Sequence, residues 1–223
     1  RRAYTYVSIV YLAAIIVLLV QPWSAIARTE SAALIGVLAF VALSVFAEAL
    51  AIDFSVGPNR VAHSSIAFLP GFACAILFPP AVATVAATLA ALISQLALRR
   101  RIAWVAGFNI SVAVLSVAAA TNLAALINEP TIGRFDIDFL AFGTLALALF
   151  ISNVLLVGGL ISIRERIRYR HVIHQLIGPR GGNIFYGILA SPIAVLAAYL
   201  YDQLYVGGLI LAQASCRNNT SSN

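Results

Sequence analysis

Residues 64–101 read SSIAFLPGFACAILFPPAVATVAATLAALISQLALRRR: an apolar run, a Pro79-Pro80 break, a second apolar run and three consecutive arginines. Runs of about 17 or more apolar residues can cross ~30 Å of hydrocarbon as helix, so this stretch predicts a transmembrane hairpin. Proline lacks an N–H and disfavours helix at the residue before it, so Pro79-Pro80 closes one helix and opens the next. Arg99, Arg100 and Arg101 orient the hairpin, because arginine-rich loops stay on the cytoplasmic side. The proline turn is then expected outside.

The composition agrees with a membrane reading. The chain is 62% hydrophobic and 10% charged, against roughly 45–50% and 25% in soluble domains. Its apolar runs are continuous rather than alternating, which excludes a transmembrane barrel and predicts the all-α class, a polytopic transmembrane helix bundle. The net charge of +6 comes from arginine, since all 14 basic residues are arginine and lysine is absent. In such a chain a basic excess reads as a topology signal and an attraction to an anionic inner leaflet; no basic, aromatic-interleaved module suggests nucleic acid. Cys74 falls in an apolar run and Cys216 in a polar tail, so no disulfide between them is expected. No cysteine or histidine spacing suggests a metal, and no cofactor is implied. The first apolar run is too long for a signal peptide and lacks a small-residue cleavage site.

Working outward from the hairpin gives about seven spans in a single domain over residues 1–214, followed by a polar tail over 215–223. Span one covers 4–23, span two 31–52, the hairpin supplies spans three and four, and spans five, six and seven cover 102–127, 139–163 and 184–201. The turn over 53–63 contains Gly57-Pro58-Asn59-Arg60, and His63 is expected to open span three. The short apolar segment before the tail, 204–214, would rise only ~16 Å as helix, too little to cross. Arg1, Arg2, Arg60, the Arg99–Arg101 triplet, the arginines of 164–170 and Arg180 then lie inside, with Arg28 and Arg134 outside. The N-terminus is therefore expected in the cytoplasm. Ala83, Ala87 and Ala91, four residues apart, form a small-residue face that predicts close helix packing and a central position for span four.

Polar residues inside spans are the usual mark of function. Glu48, His63, Ser94, Gln95, Asn109 and Asn153 all fall in the cytoplasmic half of this topology. Two readings stand open: a polar cavity able to hold a small ligand, or interhelical hydrogen bonds worth ~0.6–2 kcal/mol each. A carboxylate at Glu48 needs a partner, which Arg60, His63 or the Arg99–Arg101 cluster could supply. Residues 164–170 read RERIRYR, and Ile163, Ile167, Val172, Ile173, Leu176 and Ile177 are interleaved with them and with His171 and His174. That pattern predicts an amphipathic helix on the membrane surface, with Arg164, Arg166, Arg168 and Arg170 each worth ~1 kcal/mol on an anionic leaflet. A docking site for a cytoplasmic partner or a phosphate-bearing ligand is the alternative. Residues 178–182 read as a hinge into span seven. No Ser/His/Asp set, paired carboxylates or Walker-type loop occurs, so the chain is expected to be non-enzymatic.

The order of these features resembles a known family. Phe46-Ala47-Glu48-Ala49-Leu50, Ser64-Ser65-Ile66-Ala67-Phe68, Leu77-Phe78-Pro79-Pro80, Phe108-Asn109, Ser152-Asn153 and the helix from Ser191-Pro192 to Tyr201-Asp202 follow one another. Together they resemble the MASE-type membrane input domain that precedes bacterial HD-GYP phosphodiesterases and GGDEF cyclases, over span two to about residue 211. The resemblance implies a sensory domain in the bacterial cytoplasmic membrane, coupled to a cytoplasmic output domain that turns over cyclic di-GMP. The sequence itself carries no HD, GYP or GGDEF signature, and after Ala214 only a short polar stretch follows. A stand-alone relative acting as an accessory subunit of a membrane complex is thus a second expectation. More loosely, the hairpin is similar to the substrate-binding subunits of energy-coupling-factor transporters, which implies a carrier with an outward-facing pocket.

Overall fold

The computed structural model describes residues 2–50, 52–55, 61–64, 68–100, 102–127, 139–177 and 192–204, with only the backbone given for 52–55 and 61–64. The described elements are α1 (Arg2–Val20), α2 (Trp23–Ala27), α3 (Ser31–Ala49), β1 (Ile52–Ser55), β2 (Val61–Ser64), α4 (Phe68–Leu77), α5 (Pro80–Ile93), α6 (Ala103–Ala125), α7 (Phe139–Glu165) and α8 (Tyr169–Ile177). A π-helical turn, Ser94–Leu98, extends α5, and residues 192–204 form a further helix, α9.

Four helices are long and apolar enough to cross a membrane: Arg2–Val20, Pro80–Leu98, Ala103–Ala125 and Leu140–Glu165; in α3 the apolar stretch is the shorter Ala33–Ala49. Their outer faces carry Ile9, Leu12, Ile16, Leu38 and Leu147, each at least half exposed. So large an uncovered apolar surface is compatible with hydrocarbon and not with water. Half of the apolar window of α6 is buried against only 11% in α7 and 17% in α1, so α6 is the helix the others surround. It packs against α1, α4, α5 and α7. The expected central role of span four is therefore shared, with α6 the more enclosed.

The proline break falls where expected: α4 ends at Leu77, Pro79 caps α5 and Pro80 is its first residue. The first arm of the hairpin, however, is not an independent span. α4 has 10 residues and rises ~15 Å, half a bilayer core. It is instead a core helix: Phe72, Ala73, Cys74, Leu77 and Phe78 are each no more than 3% exposed. Phe72 meets Phe142 of α7 edge-on at 5.5 Å between centroids, and Phe40 of α3 meets Tyr201 of α9 at 5.3 Å. Gly36 of α3 makes that last approach possible, because a Cβ there would lie 2.8 Å from Tyr201 Cε2.

Residues 53–63, read as a turn, contain an antiparallel hairpin in which Asp53 pairs with His63 and Ile52 with Ser64. Ile-Asp-Phe-Ser alternates apolar and polar residues with the period of two that extended chain requires, and Val-Ala-His-Ser, which does not alternate, pairs with it. His63 therefore lies within a strand rather than opening a helix; the next described helix starts at Phe68.

Side-chain contacts align the helix ends. Tyr11 of α1 donates a hydrogen bond to the Trp104 carbonyl at the start of α6, and Tyr6 donates to the Leu156 carbonyl of α7 at 2.9 Å. One end of the bundle thus gathers Arg2, Arg99, Arg100 and the α7–α8 arginines, while Arg28 follows α2 beyond the far end of α1. Arg1, Arg60, Arg101, Arg134, Arg180 and Arg217, the loop 128–138, the hinge 178–182, the first half of span seven and the segment 204–214 beyond Leu204 lie outside the described residues.

The basic amphipathic stretch is also broken differently from expectation. α7 continues through Glu165, the chain reverses at Arg166 with φ 56°, and α8 folds back along α7. Ile173 Cδ1 would meet a Cβ on Gly158 at 2.8 Å, and Val172 is 2% exposed. Much of the apolar face that was assigned to the membrane surface is therefore spent on α7. Ser162 fastens the reversal by donating to the Ile167 carbonyl at 2.7 Å.

Candidate functional site

Helical spacing brings the intramembrane polar residues onto facing surfaces. On α3, Phe40, Ser44 and Glu48 recur at steps of four; on α6, Asn109, Ala113 and Ser116 recur at steps of four and three; on α7, Leu149 and Asn153 are four apart. Residues at these separations share one helix face. The three faces, with one face of α5 and part of α4, line a cavity of about 360 Å³, within the range of small-molecule sites.

The small-residue face of α5 makes this space. Ala83 is packed in the core at 2% exposure, as the close-packing expectation required. Ala86, Ala87, Ala90 and Ala91 instead line the cavity. Alanine lets neighbouring backbones approach, but facing α3 and α6 its short side chain leaves a void.

The cavity has a polar end and an apolar end. At the polar end Asn109 Nδ2 donates to Gln95 Oε1 at 3.0 Å, joining α6 to the π turn. Glu48 forms an ion pair with Arg99, their side chains 12% and 16% exposed. Arg99 was one of the partners the sequence offered to Glu48. The π turn, closed by Arg99 N–H to the Ser94 carbonyl at 3.0 Å, shifts the residues after it around the helix axis. Arg100 then takes φ 44° and the chain turns into α6. Inserted π turns recur at functional positions because they re-aim side chains in this way. Phe40, Phe72, Val117 and Leu149 supply apolar lining, and Ser116 lines the same cavity. Ser116 is 3% exposed, and its hydroxyl has no hydrogen-bond partner among the described residues. A hydroxyl left so in a dry interior costs about 1–3 kcal/mol.

Of the residues singled out from sequence, Glu48, Gln95, Asn109 and Asn153 come together at this cavity, with Ser94. His63 does not belong to that set; it sits in β2 opposite Asp53, with its side chain outside the described residues. Arg99 joins the site through Glu48. Arg100 lies past the turn and is exposed, Arg101 falls outside the described residues, and Arg164, Arg166, Arg168 and Arg170 are exposed around the α7–α8 reversal. Sequence reasoning missed Ser44 and Ser116, whose spacing of four from Glu48 and seven from Asn109 was the available signal. It also took Asp202 for a boundary residue, whereas this carboxylate is 1% exposed. Among the described residues no group of His, Cys, Asp and Glu is arranged to hold a metal. The arrangement is suited to binding: hydrogen-bonding groups at both ends of a largely apolar space. Comparison with protein-family models, curated protein sequences and solved structures finds no match to this chain.

Proposed function

We propose that the chain is a membrane-embedded signal-input domain that binds a small ligand between α3, α5, α6 and α7 and passes its occupancy to a cytoplasmic output. In this reading its long apolar helices cross a bacterial inner membrane, with the N-terminus and the arginine-rich end in the cytoplasm. The chain itself performs no chemistry. The observation that carries the reading is the convergence of Glu48, Gln95, Asn109 and Asn153 on one cavity, ended by an ion pair tying α3 to the π turn.

A ligand shifts a helix arrangement only by binding one arrangement better than another. Here occupancy bears on the Glu48–Arg99 pair and the Gln95–Asn109 bond. Both sit at the end from which a connected output would be driven. The resemblance to MASE-type domains adds that the output turns over cyclic di-GMP. The test joins the chain to a GGDEF cyclase and measures cyclic di-GMP in cells. Wild type and the Glu48→Gln/Asn109→Ala double variant are expected to differ several-fold at equal expression, and identical output at equal abundance discards the reading.

A carrier role is the second reading, and a cavity of ligand size favours it. Its polar end lies with the arginines rather than at the far end, as an outward-facing binding subunit would require. Uptake of a defined metabolite dependent on Asn109 would establish it. An accessory-subunit role predicts that the chain is stable only within a hetero-complex.

A further inference from the structure

We propose that the cavity takes an uncharged amphipathic ligand, one ring system or equivalent in size, whose hydrogen-bonding group reaches Ser116 at the apolar end. This rests on the cavity being a ligand site, as above, and adds the chemical class of its occupant.

The charge of the ligand follows from the lining. Among the described lining residues Glu48 is the one that carries a formal charge, and Arg99 is paired with it. An added anion or cation would leave water for a space of alanine, serine, amide and aromatic groups in which the described lining residues offer no further counter-charge. A neutral molecule meets no such penalty.

Size and polarity follow from volume and spacing. At about 30 Å³ per liquid water, 360 Å³ has room for about twelve waters, or for a small molecule of comparable heavy-atom count. Asn109 and Ser116 are seven residues apart on α6, a rise of about 10 Å. A molecule of that length with an apolar body fits between Phe40, Phe72 and Val117. Ser116 supplies the second, independent observation: a hydroxyl 97% buried, lining the cavity, with no protein partner among the described residues. A ligand hydroxyl or carbonyl there completes its hydrogen bonding.

The experiment uses the full chain in lipid nanodiscs and equilibrium dialysis against empty nanodiscs, with four probes of one shape: 2-naphthol, naphthalene, 2-naphthoate and protonated 2-naphthylmethylamine. Saturable one-to-one binding of 2-naphthol is expected, with naphthalene weaker and neither ion bound. Ser116→Ala is expected to weaken 2-naphthol about five- to tenfold and leave naphthalene unchanged. Ala90→Phe, which fills the space, is expected to abolish both; retained circular dichroism shows that each variant folds. Binding of either ion as tightly as 2-naphthol overturns the proposal. So does equal binding by wild type and Ala90→Phe, or no saturable binding of 2-naphthol, the result for a cavity holding water only. Dosing the cyclase fusion with 2-naphthol separates the two readings. Binding without any change in cyclic di-GMP supports the ligand class and removes the input role. Signalling that depends on Glu48 and Asn109 in a chain indifferent to 2-naphthol keeps the input role and removes the ligand class.

Discussion

Removing both partners of the Glu48–Arg99 pair is expected to destabilise the bundle little more than removing either one alone. Two unit charges about 4 Å apart at an effective dielectric of ~20 attract by about 4 kcal/mol. The side chains are 12% and 16% exposed, so water screens part of this but not most. Ordering two long side chains and desolvating them offset a further part, leaving a coupling of about 2–3 kcal/mol, at the upper end for contacting residues. Glu48→Gln alone leaves a guanidinium with its main counter-ion gone, and Arg99→Gln leaves a carboxylate in the same position, at about 3 kcal/mol each. The double variant replaces both charges with neutral groups and is expected to cost little more than either single change. The assay is reversible unfolding in mixed micelles followed by the fluorescence of Trp23 and Trp104, the two tryptophans of the chain. A coupling below ~0.5 kcal/mol would refute the claim that this pair closes the polar end, since an exposed surface pair gives that much.

Other variants test neighbouring features. Gly36→Ala drives a methyl into Tyr201 and is expected to cost about 1–3 kcal/mol by overpacking; Tyr201→Leu in the same chain should recover most of that loss in an unfolding titration. Ala90→Leu grows into the cavity and is expected to leave thermal stability unchanged or raised, whereas Ala73→Leu, at a position 0% exposed, should lower it by about 1–3 kcal/mol. Arg166 sits at φ 56°, so Arg166→Gly is expected to hold or gain stability while Arg166→Val loses about 1–2 kcal/mol, read by the same titration. Tyr6→Phe removes the bond to the Leu156 carbonyl and should cost about 1 kcal/mol by loosening α1 from α7.

The long apolar helices were legible because length and continuous hydropathy are local properties: α1, α6 and α7 begin and end within a few residues of the expected spans. Pro79-Pro80 was legible for the same reason, since proline acts on its own turn. α4 was misread because hydropathy reports that Phe72, Ala73 and Cys74 avoid water, not whether lipid or protein surrounds them. The hairpin of β1 and β2 was hidden by its brevity, four residues a strand with one turn cluster between. At the site, Glu48, Gln95, Asn109 and Asn153 stood out as polar groups in apolar runs, and their shared half of the bundle followed from the arginines. The cavity itself was not legible. Ala87 and Ala91 would look the same whether they close a helix contact or line a void, and only the spacing of α3, α5 and α6 decides it. Ser116 escaped notice because a serine within a transmembrane helix ordinarily bonds to its own backbone, and this one does not.

The central claim is that the cavity between α3, α5, α6 and α7 is occupied in the membrane by one small neutral molecule. Native mass spectrometry of the protein released from its own membrane in lipid nanodiscs, beside Ala90→Phe prepared identically, measures this directly. The expected spectrum carries a single stoichiometric small-molecule adduct on the wild type that is absent from Ala90→Phe. Adducts of ordinary lipids alone, the same in both proteins, would contradict it.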